Sequence, residues 1–276
     1  MPLQPDGWSL QESAIKRLAT AAVLLPLVII FILKAGVVQF AVLVFLLSLL
    51  GLDEFYRMAL PARRAEGRLA ALAGALSVFT LFAPDRIIPL MALTVLVLGF
   101  SLIELFRFRE IPRAAGDAAV LLMGFLYVPL LLSHLILIRQ LPHGVSWLFL
   151  IMVIVMSGDS AAYYVGSTLG KTKLYPSVSP KKSVEGSAGG LAGSVAGAFI
   201  FKALFFHELT ALDCVATALL LGLLGQLGDL FESLIKRSCG VKDSGTIFPG
   251  HGGVLDRLDS ILFAAPAAFY YAYFNF

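Results

Sequence analysis

SLIKRSCGVKDSGTIFPGHGGVLDRLD, residues Ser233–Asp259, is a dense polar stretch near the end of an otherwise apolar chain. It carries three aspartates, two lysines, two arginines, a histidine and five glycines. Burying so many polar groups in an apolar protein is costly unless they work at an aqueous boundary. The sequence on either side decides what that boundary is. Of 276 residues, 59% are hydrophobic and 14% charged, against roughly a quarter charged in soluble domains. Apolar runs of about 17 to 25 residues recur upstream, the length that crosses a hydrocarbon core of about 30 Å. A soluble α/β protein would need shorter runs broken by turns. The composition therefore predicts an all-α, polytopic integral membrane protein.

Nine spans are expected. They run at about Leu18 to Leu33, Val37 to Met58, Leu69 to Ala83, Ile87 to Phe106, Ala118 to Ile138, Val145 to Thr168, Ala188 to Phe206, Leu209 to Phe231 and Leu258 to Phe274. A short interfacial helix from Trp8 precedes them, and no cleavable signal peptide is evident. The layout divides into residues 1–115, holding spans 1–4, and residues 116–276, a catalytic membrane region holding spans 5–9. Charge tests the layout. Of the 21 Lys and Arg, all but Lys34, Arg86, Arg139 and Lys202 fall on the side shared by the N-terminus and the loops after spans 2, 4, 6 and 8. The positive-inside rule puts that side in the cytoplasm and the C-terminus outside. Cys214 and Cys239 then lie at opposite faces and should not pair. Gly189, Gly193 and Gly197 form a small-xxx-small ridge on span 7 for a neighbouring helix or a second subunit. Tyr270, Tyr271 and Tyr273 suit an outer aromatic belt.

The polar residues converge on the basic side. Asp159 sits about fourteen residues into span 6 from the outer face, a depth of roughly 20 Å. Asp229 and Glu232 lie at the cytoplasmic end of span 8. Asp256 and Asp259, spaced i and i+3, share one face at the start of span 9. A long polar loop, Lys171 to Gly186, opens on the same side with Lys171, Lys173, Lys181 and Lys182. A solvated basic loop with capping aspartates explains the lysines but not Asp159 and Asp229 within apolar helices. Mg²⁺ binds through one or two carboxylates plus substrate phosphates, and Asp229 and Asp256 are the best ligands by type and position. Lys and Arg neutralise phosphate. Gly250, Gly252 and Gly253 let backbone N–H groups approach an anion, and His251 between them is either a phosphate donor or a structural turn residue. Together these are the tools of in-line phosphoryl or nucleotidyl transfer. Gly166-x-x-x-Gly170-Lys171-Thr172 is one residue short of a P-loop and follows a helix where that motif needs a strand. Lys171 remains a candidate phosphate contact. No Ser/His/Asp or Cys/His arrangement is legible.

The run Ser233, Lys236, Arg237, Lys242, Asp243, Gly245, Pro249, His251, Gly252, Gly253, Asp256, Arg257, Asp259 resembles the signature of the phosphatidate cytidylyltransferase (CDP-diacylglycerol synthase) family, without departure from its pattern. Gly158–Tyr163, Ser179–Gly186 and Gly228–Ser233 also look like family motifs, so the specific resemblance covers about Ser157 to Ser260. It implies a Mg²⁺-dependent integral membrane enzyme making CDP-diacylglycerol and pyrophosphate from CTP and phosphatidic acid. It further implies a bacterial inner-membrane location with the site facing the cytoplasm, a paired metal centre on Asp229 and Asp256 with the second ion unidentified, a homodimer, and no nucleic-acid partner. In that reading Lys181, Lys182, Lys242 and Arg257 screen repulsion between two polyanions, beside Lys236, Arg237 and Asp243 of the signature. Asp159 orients a cation or a ribose hydroxyl, Ser179 and Ser183 bind phosphate or cap helices, and Asp259 supports the ligands. A CTP-dependent lipid-alcohol kinase uses similar cations but needs a base to activate its hydroxyl. A secondary transporter would place its acids near the midplane of repeated halves, and no internal repeat is seen.

Overall fold

The structure is a computed structural model that describes residues 22, 26–83, 85, 87–247 and 252–276. The interfacial helix from Trp8, the first part of span 1, Gly250 and His251 lie outside the described residues; residues 26–34 are helical. Nine helices follow: α1 (Val37–Ala59), α2 (Arg64–Leu76, continued by a 3₁₀ turn Ser77–Phe82), α3 (Ile87–Arg107), α4 (Ile111–Tyr127), α5 (Pro129–Gln140), α6 (Gly144–Leu169), α7 (Val184–Leu204), α8 (Ala211–Ser238) and α9 (Leu255–Asn275). Between α6 and α7 lies a two-stranded antiparallel hairpin, β1 (Lys173–Tyr175) and β2 (Ser179–Ser183).

Among the described residues, seven segments are long and apolar enough to cross a membrane, so the chain is an all-α polytopic membrane protein. One of them is α4 and α5 taken together. Span 5 breaks at Val128 because Pro129 lacks an N–H and its ring crowds the preceding turn. The 3₁₀ end of span 3 has a local cause as well: the Ser77 and Thr80 hydroxyls donate to the carbonyls three residues back and tighten the chain. α9 is 21 residues long but is not among the seven, and its first turns carry Asp256, Arg257 and Asp259.

Small residues set the packing around the site. Gly189 abuts Val165, Gly193 abuts Ala161, and Gly197 abuts Ser157, so this ridge is used within the chain, by α6. Gly158 and Gly222 press on Ser194 from α6 and α8, drawing both helices onto α7. Tyr56 is the corresponding wedge in the first half. It sits between Gly67 of α2 and Gly124 of α4, and its hydroxyl donates to the Leu121 carbonyl at 2.7 Å.

The far end of the molecule carries Arg139 and Lys202, two of the sparse cations. Arg139 donates to the Ala35 carbonyl at 2.9 Å, Lys202 reaches the His207 carbonyl, and Phe276 packs edge-on to Trp147. The end of α9 therefore lies opposite the signature. Tyr270 and Tyr273 are exposed there as a belt would require, but Tyr271 is not part of it: its hydroxyl donates to Asp213 at 2.7 Å. Cys214 and Cys239 are both free, in the first turn and at the C-cap of α8, about 37 Å apart along its axis.

Candidate active site

The stretch Lys171 to Gly186, read from sequence as a loop, is the hairpin and the first turn of α7. Its fold follows from two caps. Ser183 accepts from the Gly186 N–H at 3.1 Å and starts α7. Glu185 accepts from the backbone N–H groups of Lys171 and Thr172, each at 3.1 Å. The imperfect P-loop thus spends these N–H groups on the protein's own carboxylate. Ser183 is buried, so it is a cap and does not open on the polar face. The folded-back β2 brings Lys182 to Asp229, Nζ to Oδ2, at 2.7 Å. A polar clamp between Ser187 and Gln226 fixes α7 against α8 one turn earlier.

Asp159 and Asp229 lie about ten residues from the ends of α6 and α8, roughly 15 Å below them. Asp159, Asp229 and Asp259 interact through their charges, with Lys182 and Arg257 compensating Asp159. Gly228 makes this possible, since a Cβ there would meet the Asp259 carbonyl at 2.5 Å. Lys181, Lys242 and Arg257 are exposed, and Lys181 and Lys242 form no ion pair among the described residues. Asp243 is exposed, Ser179 half-buried in β2, and Arg237 donates to the Val241 carbonyl at the end of α8.

Lys236 departs from its expected role as a substrate contact. Its side chain is 11% exposed, and its ammonium is held between Glu232, which is fully buried, and Asp256 Oδ1 at 2.6 Å. Removing two carboxylates from water is costly, and this single cation offsets both. Asp256 is equally committed. Its Oδ2 accepts from the Ser244 N–H at 3.0 Å, the Ser244 hydroxyl at 2.9 Å and the Gly253 N–H at 2.7 Å.

The glycines also serve a different anion from the one expected. Glu54 of α1 enters the signature from the first half of the chain, 1% exposed. It accepts from the Val254 N–H at 3.0 Å and the Leu255 N–H at 2.9 Å, and it shares the single Ser244 hydroxyl proton with Asp256, at 3.0 Å. A Cβ at Gly245 or Gly253 would overlap the Glu54 carboxylate. Gly252 has φ +84°, and a Cβ there would meet Asp256 Oδ2 at 2.5 Å. Thus the N-terminal N–H groups of α9, the usual seat for a phosphate, are filled by Glu54 and Asp256. Sequence reasoning missed Glu54. An acid near the end of an apolar span was the available signal, and the adjacent Asp53 and Arg57 made it look like an ordinary loop edge.

Among the described residues, no three His, Cys, Asp or Glu side chains group closely enough to hold a metal by themselves. Mg²⁺ needs no such cage, since it commonly takes one or two carboxylates and completes its shell with phosphate and water. Asp229 fits that role: its side chain is 31% exposed and its Oδ1 makes only a 3.4 Å contact from Ser233. Asp256 fits only through Oδ1, by exchanging Lys236.

Asp159, Asp229 and Asp259 thus form a carboxylate basin, with Lys182 paired to it and Lys181, Lys242 and Arg257 exposed. A profile of the cytidylyltransferase family matches residues 15–275. The chain belongs to the cytidylyltransferase family. Among the relatives of this cytidylyltransferase is the phosphatidate cytidylyltransferase of Bacillus subtilis (strain 168), 33% identical over 272 residues, covering 92% of this chain and 96% of that one. The phosphatidate cytidylyltransferase of Staphylococcus haemolyticus is 33% identical over 251 residues, covering 89% and 94%. That of Staphylococcus epidermidis (strain ATCC 12228) is 32% identical over 259 residues, covering 91% and 95%. The cytidylyltransferase match includes α1, so Glu54 lies inside the family region.

Proposed function

We infer that this chain is a phosphatidate cytidylyltransferase, converting CTP and phosphatidic acid to CDP-diacylglycerol and pyrophosphate. The observation that carries the reading is the Lys182–Asp229 pair, which joins the hairpin to α8 over a carboxylate basin in a chain of this family. A phosphate oxygen of phosphatidic acid attacks the α-phosphorus of CTP. A new P–O bond forms, the bond to the bridging oxygen of the β-phosphate breaks, and pyrophosphate leaves. The nucleophile is already an anion, so no general base is required. The barrier is repulsion between two polyanions. Lys181, Lys182, Lys242 and Arg257 reduce it and hold the partners in line. Asp159 helps keep Lys182 and Arg257 oriented, and Asp259 supports Asp229 from the start of α9. Asp229, and Asp256 after exchange with Lys236, would hold Mg²⁺, which when bound neutralises phosphate charge.

The basic end of the bundle faces the cytoplasm in this reading, the end of α9 faces outward, and nine spans cross a bacterial inner membrane. The distribution of Lys and Arg supports that orientation. CTP enters from the cytoplasm and the lipid from the adjoining leaflet. The test is lipid-dependent pyrophosphate release by purified protein given CTP, phosphatidic acid and Mg²⁺. Loss of release in Asp229→Asn supports the reading. CDP in place of pyrophosphate points to phosphorylation instead, and would overturn it.

A further inference from the structure

A second polar feature lies on the same end of the bundle but on the other side of α1. Asp53, Tyr56 and Arg57 of α1 and Arg64, Gly67 and Arg68 of α2 line a small cleft. Asp53 pairs with Arg57 and stands 4.0 Å from Arg68. Two guanidinium groups thus share one carboxylate, and Arg64 lines the cleft beside them, which leaves the lining two positive charges in excess of neutrality. No side chain caps the N-terminus of α2 beside it. None of these residues takes part in the basin described above. Glu54, the next residue along α1, is buried in the signature.

What leads away from the cleft indicates its ligand. On α1, Val42, Leu46 and Leu50 are exposed and fall on the helix face that carries Asp53 and Arg57. On α2, Arg64, Arg68, Leu72 and Leu76 are spaced four apart on one face, all exposed. The two helices are joined by a tight turn, so both apolar lines run from the arginines in the same direction. They extend roughly 20 Å into the membrane at 1.5 Å per residue. A free phosphate has no use for these lines, whereas an amphiphile does.

We propose that the Arg57, Arg64 and Arg68 cleft binds the phosphate of an anionic phospholipid, whose acyl chains lie along the Val42–Leu50 and Leu72–Leu76 lines, at a site separate from the catalytic basin. A basic pocket between membrane helices at the positive face suits such a headgroup, and Arg presents a planar fork to phosphate oxygens. Asp53 is the internal competitor: it holds the arginines when lipid is absent and gives them up when lipid binds. Because Asp53 and Glu54 are consecutive on one rigid helix, occupancy of the cleft is read next to the residue that fixes the signature loop. The assignment of the basin to cytidylyl transfer is not needed for the binding itself.

Phosphatidylglycerol is the probe, since the proposed reaction does not consume it. The purified full chain is titrated with phosphatidylglycerol or phosphatidylcholine, and retained lipid is counted by native mass spectrometry. Wild type should retain phosphatidylglycerol in preference to phosphatidylcholine. Arg64→Gln/Arg68→Gln should bind it roughly tenfold or more weakly. Arg64→Lys/Arg68→Lys should keep most of the affinity, and Asp53→Asn should bind more tightly than wild type. Equal retention by wild type and the double Gln variant would overturn the proposal. So would displacement of the lipid by equimolar inorganic phosphate, which would make the cleft a site for free phosphate. Pyrophosphate release measured on the same samples reports separately on the catalytic reading.

Discussion

Glu54 and Leu255 are 201 residues apart in the chain, yet the carboxylate of the first accepts the backbone N–H of the second at 2.9 Å. One side chain of α1 thereby holds the start of α9, and with it Asp256. Glu54→Gln replaces a charged acceptor by an amide that must turn one N–H₂ toward backbone donors. The cost should be about 1–3 kcal/mol. It should appear as a lower unfolding temperature in detergent, and as a fall in kcat larger than any rise in KM for CTP.

Gly245 offers a sharper test of the same contact. Gly245→Ala drives a methyl group into the Glu54 carboxylate. The variant should lose most activity. Adding Glu54→Asp, which withdraws the carboxylate by one methylene, should restore part of it. Activity unchanged in Gly245→Ala alone would mean that Glu54 does not occupy this position in the working enzyme.

The two signature-side lysines should behave in opposite ways. Lys236→Ala strands Glu232 and Asp256 without their cation, and breaking such a buried pair costs about 3–5 kcal/mol. Unfolding should move down sharply. Lys182 and Asp229 are each about 30% exposed, so Lys182→Ala should leave the unfolding temperature within a degree or two. Its loss should appear instead in turnover and in KM for CTP.

Removal of divalent metal should stop pyrophosphate release without lowering the unfolding temperature. Asp256 already has a hydrogen-bonded partner on each oxygen, and Asp229 is paired with Lys182. A large thermal shift on chelation would mean that the metal, not Lys236, organises these carboxylates.

The free thiols test orientation. Cys239 is half-buried at the signature end and Cys214 is buried. A membrane-impermeant maleimide should label Cys239 in inverted vesicles and leave it unlabelled in intact cells. Labelling in intact cells would invert the topology.

Much of this was legible in the sequence because membrane helices announce themselves by composition. Long apolar runs fixed α1, α3 and α6 within a residue and α7 within four, whereas α8 continues seven residues past the expected end of span 8, to Ser238. The cut at Val128 needed Pro129 to be weighed above an uninterrupted apolar run. The hairpin at Lys173–Ser183 was hidden by its lysines, which read as a solvated loop; backbone pairing and the Glu185 cap, not hydrophobicity, hold it. The site was legible by residue type but not by partner. Asp159, Asp229 and Asp259 stand together because acids in membrane helices have few other places to go, and Lys182 reaches Asp229 from the hairpin. In the structure Lys236 and the glycines at 252 and 253 lie against Glu232, Asp256 and Glu54, partners that the motif alone does not name. Nothing local to Ser233–Asp259 reveals an acceptor that arrives from α1.

That long-range grip also sets a timetable. At about 5–20 residues per second, some 10–40 s of synthesis separate Glu54 from Leu255. Through that interval α1 holds an acid whose acceptor capacity is unfilled, close to the membrane surface. Only when the signature emerges do Ser244, Val254 and Leu255 close on it. A nascent chain that stops short of the signature therefore lacks the donors that fill the Glu54 carboxylate in the folded protein.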